Sequence, residues 1–163
     1  MPPTLEAEGL GNDNLSERIA TDVRWSDPGT LELRSSVPAR AGSVALMRNA
    51  VRGLAETVRT EGVGPPGFDA ERAADLVLVV TELVTNAVLH SGSAPDDALH
   101  VRIVIGRERV EGSVTDPGAG FSTEPGARRP RVDGGLGLFI VGRLARAWGV
   151  RGVSGGTQVW FDF

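Results

Sequence analysis

Hydrophobic positions along this chain switch between the two-residue period of a strand and the 3.6-residue period of a helix, and the switches fall at Gly- and Pro-rich breaks. Leu31, Glu32, Leu33, Arg34, Ser35 and Ser36 alternate and predict a short strand that Pro38 ends. Val44, Met47, Val51, Leu54, Ala55 and Val58 recur at helical spacing, predicting a first helix over about 39–60. The stretch from Gly62 to Gly67, with Pro65 and Pro66 inside it, stops that helix. Asp69 is placed to cap a second, strongly apolar helix that runs to about His90, and a Ser/Gly/Pro/Asp loop follows over 91–97. Residues 99–105 and 109–115 are strand candidates joined by a short turn at Gly106 and Arg107, which predicts a hairpin. A loop without apolar pattern then extends to Gly134. Beyond it Leu136, Leu138, Phe139, Val141, Leu144, Ala145 and Trp148 mark a third helix. Val150 to Val153, a Gly155-Gly156 turn and the alternating Thr157 to Phe163 predict a terminal hairpin. Residues 1–30 lack periodicity and are rich in Gly, Pro, Asn, Asp and Glu, so a flexible tail is expected ahead of a single domain over 31–163. Hairpins interspersed with helices, rather than strand-helix-strand alternation, predict an α/β two-layer sandwich: an antiparallel or mixed sheet with helices on one face.

Composition narrows the chemistry. With 163 residues, 40% of them hydrophobic, the chain can bury one core of ordinary size. Its formal net charge of -4 argues against general binding to nucleic acid, which relies on many basic groups set against phosphates. The absence of cysteine excludes disulfides and thiolate metal sites, and His90 and His100 fall in different predicted elements, which disfavours a His-based zinc site. All 17 basic residues are arginine, so the lysine-dependent phosphate loop G-x-x-x-x-G-K-[ST] is excluded. No run of 18 or more apolar residues and no basic-then-apolar leader occurs, so no membrane partner is expected and the expected compartment is the cytoplasm.

Three segments carry residues suited to chemistry. In the second helix Glu82, Asn86 and His90 recur four apart, so a carboxylate, an amide and an imidazole share one stripe among apolar neighbours. Polar groups beside a core need partners, and a plain amphipathic edge explains this stripe less well. Glu82 suits a general base, and Asn86 suits a neutral oxygen ligand for Mg²⁺ whose other positions are filled by water and phosphate. Asp116-Pro117-Gly118-Ala119-Gly120 places an acid directly after a strand and before two glycines. There a carboxylate can accept a hydrogen bond from an exocyclic amine while bare backbone admits a ring, although alone the segment reads more simply as a turn. Gly134-Gly135-Leu136-Gly137-Leu138 opens the third helix, whose unpaired N–H groups and dipole can hold phosphates without lysine. It is not the dinucleotide fingerprint, because Gly142 comes two residues too late and a polar loop precedes it; a glycine hinge before a core helix remains the plainer alternative.

Taken together and in order, the segments resemble one family pattern. Glu82 to Ser91 resembles the N box, Asp116-x-Gly118-x-Gly120 the first glycine box and Gly135-Leu136-Gly137-Leu138 the second glycine box of the Bergerat-fold ATPases, the superfamily of gyrases, heat-shock chaperones, histidine kinases and mismatch-repair ATPases. The short chain, the two-helix lead into the N box and the terminal Gly156-Thr157-Gln158-Val159-Trp160 most resemble the bacterial anti-sigma-factor serine/threonine kinases of arginine-rich, actinobacterial type, over about 31–163. That resemblance implies ATP and Mg²⁺ as cofactors. It implies Glu82 as the base that activates the attacking hydroxyl, Asn86 as the Mg²⁺ ligand, and Asp116 as the partner of the adenine amino group. Gly118 and Gly120 would admit adenine and ribose, and Gly135 and Gly137, flanking Leu136, would present backbone N–H groups to the phosphates. Thr157 would support the adenine site. His90 falls where relatives carry a polar or basic residue, a weaker phosphate contact. Arg128, Arg129 and Arg131 lie in the loop that covers ATP in relatives and are given no role. The implied activity is phosphorylation of an anti-sigma-factor antagonist together with sequestration of a sigma factor, those two proteins being the expected partners. The alternative is a regulatory binding module that uses ATP without catalysis, against which retention of Glu82 speaks. A histidine kinase is disfavoured because no phosphoacceptor helix pair precedes the domain. Relatives of this type often dimerise, which leaves a homodimer open.

Overall fold

The computed structural model describes residues 19–27, 29–118 and 135–163. In chain order these form β1 (Ala20–Asp27), β2 (Thr30–Pro38), α1 (Ala41–Thr60), α2 (Ala70–His90), β3 (Ala98–Ile105), β4 (Val110–Asp116), α3 (Gly135–Leu144), β5 (Ala147–Val153) and β6 (Gly156–Asp162). The strands build one 6-stranded sheet in the order β1-β2-β3-β4-β6-β5, antiparallel at every neighbouring pair. Of the two sheet types expected, the antiparallel one forms.

Strand periodicity explains why the helices occupy one face. Leu99, Val101, Ile103 and Ile105 of β3 are buried while His100 and Arg102 between them are exposed. Leu33 of β2 pairs with Ile103, Ile103 with Gly112 of β4, and Gly112 with Phe161 of β6, so this register carries one apolar face across the sheet. Met47, Val51, Leu54 and Val58 of α1, Leu76, Val79, Val80, Leu83 and Val84 of α2, and Val141 of α3 meet that face in a single core. Each large aliphatic side chain so buried contributes about 1.5–3 kcal/mol. The same packing accounts for the apolarity of α2. With 21 residues and a mean hydropathy of 1.5 it is long and apolar enough to cross a membrane, yet Ala73, Leu76, Val79, Val80, Leu83, Val84 and Ala87 are buried within the protein.

The opposite face of the sheet is polar. Glu32, 3% exposed, accepts hydrogen bonds from Arg24 at 3.0 Å, Arg34 at 2.9 Å and Arg102 at 2.7 Å. Burial pushes its pKa up, but the three guanidinium groups together outweigh that and hold it below the usual value.

Two elements differ from expectation. Residues 20–27, expected within a tail, form β1, which pairs with β2 along its length and ties to it through the Thr21–Ser35 hydroxyl bond (2.7 Å) and Arg24–Glu32. Every residue of β1 is exposed, so main-chain pairing and cross-strand bonds hold it rather than burial, and its sequence signal is only the short alternation of Thr21, Val23 and Trp25 with Asp22, Arg24 and Ser26. Residues 1–18 and 28 lie outside the described residues. Trp148, expected in the third helix, belongs to β5, opposite Phe161, because α3 ends at Leu144. A Cβ at Gly142 of α3 would lie 3.1 Å from the Trp148 indole nitrogen, so the helical spacing of Trp148 reflects packing against α3 from the next strand.

Candidate functional site

The site is built around the C-terminal half of α2. Asp69 caps this helix by accepting the Arg72 N–H at 2.9 Å, which fixes the phase of the turns that follow. Glu82 and Asn86 then lie one turn apart on the side that meets α3. A Cβ at Gly137 would lie 2.5 Å from Glu82 Oε2 and 3.3 Å from Asn86 Nδ2, so the bare backbone of the first turn of α3 sits directly on this pair. The neighbouring polar residues are self-satisfied: Thr81 and Thr85 each donate to the carbonyl one turn back, at 2.7 Å. Asn86 is different. Its Nδ2 is buried and has no hydrogen-bond partner. Buried side-chain amides are nearly always paired, so an unpartnered one at a glycine-cleared contact marks a place for a ligand. His90, the last residue of α2, is exposed, so the stripe is half-buried at Glu82 and Asn86 and open to solvent at its end.

A second group of residues lies where β4, β6 and the end of α2 converge. Asp116 closes β4 rather than following it, is 8% exposed, and accepts the Gly118 N–H at 2.9 Å. Burial raises the Asp116 pKa, and the Gly118 hydrogen bond only partly opposes that rise. Thr157, 4% exposed, is its cross-strand partner on the helix-covered face. A Cβ at Gly156 would overlap the Asp116 carbonyl, and one at Gly118 would overlap the carbonyl of Ser91, the C-cap of α2. The turn after β4 is therefore pressed against the helix that carries Glu82 and Asn86.

Gly135 begins α3, followed by Leu136, which is 71% exposed. Gly120, Arg128, Arg129 and Arg131 lie outside the described residues. Two contributors were given no site role by sequence: the Ser91 carbonyl and Gly156, the latter named only as part of the terminal segment. Backbone proximity leaves no residue signature for the first. The second had one, since Gly155 (φ 85) already meets the needs of the turn and a second glycine beside it signals close approach. Among the described residues no three His, Asp or Glu side chains gather as a preformed metal site. A cation bound here would have to share its coordination with a ligand such as phosphate.

Comparison with known proteins bears on the family and the fold. Serine-protein kinase RsbW of Bacillus pumilus (strain SAFR-032) is 28% identical over 145 residues, covering 80% of this chain and 85% of that protein. The crystal structure of the RsbU and RsbW domains of Rv1364c from Mycobacterium tuberculosis superposes with a TM-score of 0.56 at 24% identity. That match covers 80% of this chain but 31% of the other, so this chain spans about a third of the length of that protein, and the likeness is one of fold. Residues 37–163 match the histidine kinase-like ATPase domain, a span from the end of β2 through β6 that holds Glu82, Asn86, Asp116, Gly137 and Thr157, and the chain belongs to that family.

Proposed function

We propose that this chain is an ATP-dependent protein serine/threonine kinase that phosphorylates an anti-sigma-factor antagonist and, when not so engaged, sequesters a sigma factor. The observation that carries this reading is the meeting of Glu82 and the unpartnered Asn86 at Gly137. It brings a carboxylate, an amide and the first turn of a helix to one spot, an arrangement suited to transfer of a phosphoryl group to a hydroxyl. The serine-protein kinase RsbW, similar over most of both chains, supports the same class of activity.

In this reading Asp116 accepts a hydrogen bond from the exocyclic amine of adenine, beside Thr157, and the Gly118 turn admits the ring. The first-turn N–H groups of α3, from Gly135 through Gly137, face the phosphates. The residues fit Mg²⁺, which would be held through the Asn86 amide oxygen, a neutral, hard donor, while the buried and unpartnered Nδ2 is left to donate to an oxygen of the bound phosphates. Bound there, the ion would neutralise charge on the transferring phosphoryl group. Glu82 takes the proton of the attacking hydroxyl as its oxygen bonds to the γ-phosphorus and ADP leaves. Positioning and charge neutralisation supply most of the acceleration.

Incubating the full chain with γ-labelled ATP, Mg²⁺ and candidate antagonist proteins tests the assignment. Label is expected on serine or threonine of one antagonist. ATP binding without transfer to any of them would contradict the kinase and leave an ATP-dependent binding module.

A further inference from the structure

The ladder of β4 and β6 ends at the rung Asp116–Thr157, whose side chains face the helices. The rung before it, Thr115–Gln158, points to the opposite face, where β5 adds Arg151 in register with Gln158. These three side chains form a chain of hydrogen bonds across three strands: Arg151 Nε donates to Gln158 Oε1 at 2.8 Å, and Gln158 Nε2 donates to Thr115 Oγ1 at 3.0 Å. The direction is fixed by chemistry. A guanidinium only donates, so the amide oxygen must face Arg151 and the amide nitrogen must face Thr115. Strand ends fray unless something holds them, and the rung at risk carries the buried acid. On the helix side the contact is backbone on backbone, Gly156 against the Asp116 carbonyl, with no side chain between them. The relay on the far face is the clamp that side chains supply.

We infer that Gln158, through Arg151 and Thr115, is a positioning residue for base recognition, locking the end of β4 so that Asp116 is held at the place where it meets the adenine amine. The inference rests on the proposed role of Asp116. It assigns a function in nucleotide selectivity to residues that lie on the sheet face away from the nucleotide and contact it nowhere.

The full chain is titrated with ATP and with inosine triphosphate, which carries a carbonyl where adenine has its amine. Loss of a hydrogen bond to a charged group predicts that the natural chain prefers ATP roughly 10- to 100-fold. Gln158→Leu is expected to reduce that ratio roughly two- to fivefold, the effect of one cross-strand pair. Thr115→Val breaks the relay from its other end and is expected to do the same, which keeps the test decisive should Gln158→Leu fail to fold. Gln158→Glu retains the ratio, because a carboxylate accepts both from Arg151 and from the Thr115 hydroxyl. A purely structural role would weaken both triphosphates alike and leave the ratio where it was. An unchanged ratio in the folded variants, with the ratio lost in Asp116→Ala, overturns the relay and leaves the adenine reading intact. A fall in Gln158→Glu as large as in Gln158→Leu also overturns it. A natural chain that does not discriminate, or an Asp116→Ala variant that still does, overturns the adenine reading and the relay with it.

Discussion

Asn86 sits in a core-facing helix with a buried amide nitrogen that bonds to nothing, a cost of roughly 1–3 kcal/mol in a chain without ligand. Asn86→Ala removes that group and installs the best helix former, so the unliganded protein is expected to gain up to about 1 kcal/mol in stability. The same change is expected to weaken ATP binding in Mg²⁺ roughly tenfold or more and to change binding in EDTA little, as read by titration calorimetry in the two buffers. Gly137 gives a complementary test. Gly137→Ala would put a methyl 2.5 Å from Glu82 Oε2, the far end of a flexible side chain, so the carboxylate swings aside and the fold survives. Stability by thermal melt should hold to within about 1 kcal/mol while phosphoryl transfer falls more than about tenfold. Asp116 should show itself through pH. Burial raises its folded pKa above the ordinary 3.8, so its contribution to stability is fully present below that value and is lost as pH rises through the folded value. Asp116→Asn keeps an acceptor for the Gly118 N–H and carries no charge, so pH-dependent melts should lose that decline. Glu82 and Asn86 were legible in sequence because they are polar at helical spacing in an apolar run. The Ser91 carbonyl was not, because a main-chain oxygen has no letter.

At the scale of elements, the sheet is held differently on its two faces. Apolar side chains under α1 and α2 secure the inner one, and Glu32 with Arg24, Arg34 and Arg102 secures the outer one across β1, β2 and β3. Because the three arginines hold the Glu32 pKa below its usual 4.5, the stability it contributes is present above that value and is lost as pH falls through the folded value. The arginines are about half exposed, which limits the effect of Glu32→Gln at neutral pH to about 1 kcal/mol. That variant should also lose the acid-side decline in melts taken below pH 4.5, and amide exchange over 20–27 should quicken as β1 loosens. The contrast between α2 and β1 shows what sequence carries. A cap at Asp69 and an unbroken apolar stripe announce α2, since burial selects residue types at a fixed period. An edge strand such as β1, exposed at every position, is specified by its register with β2, and register is a property of two segments at once. Trp148 misleads for a related reason: it packs against α3 while belonging to β5.

Across the whole molecule, the one-sided layering sets a division of labour. The end of α2, the start of α3 and the ends of β4 and β6 converge on the candidate site, while α1 and β1–β3 complete the core and the outer charge network. Family membership, over 37–163, accounts for an ATP-binding fold with this convergence, and does not by itself distinguish a kinase from a module that only changes shape with nucleotide. In the proposed reading Glu82 is the residue that would make that distinction, since binding alone has no use for a base beside the first turn of α3. The decisive measurement is transfer of γ-labelled phosphate to an antagonist protein by the natural chain and by Glu82→Ala, with ATP affinity measured on the same samples. Transfer is expected to fall about a hundred- to ten-thousandfold with affinity changed less than about threefold. Unchanged transfer by Glu82→Ala would contradict the account.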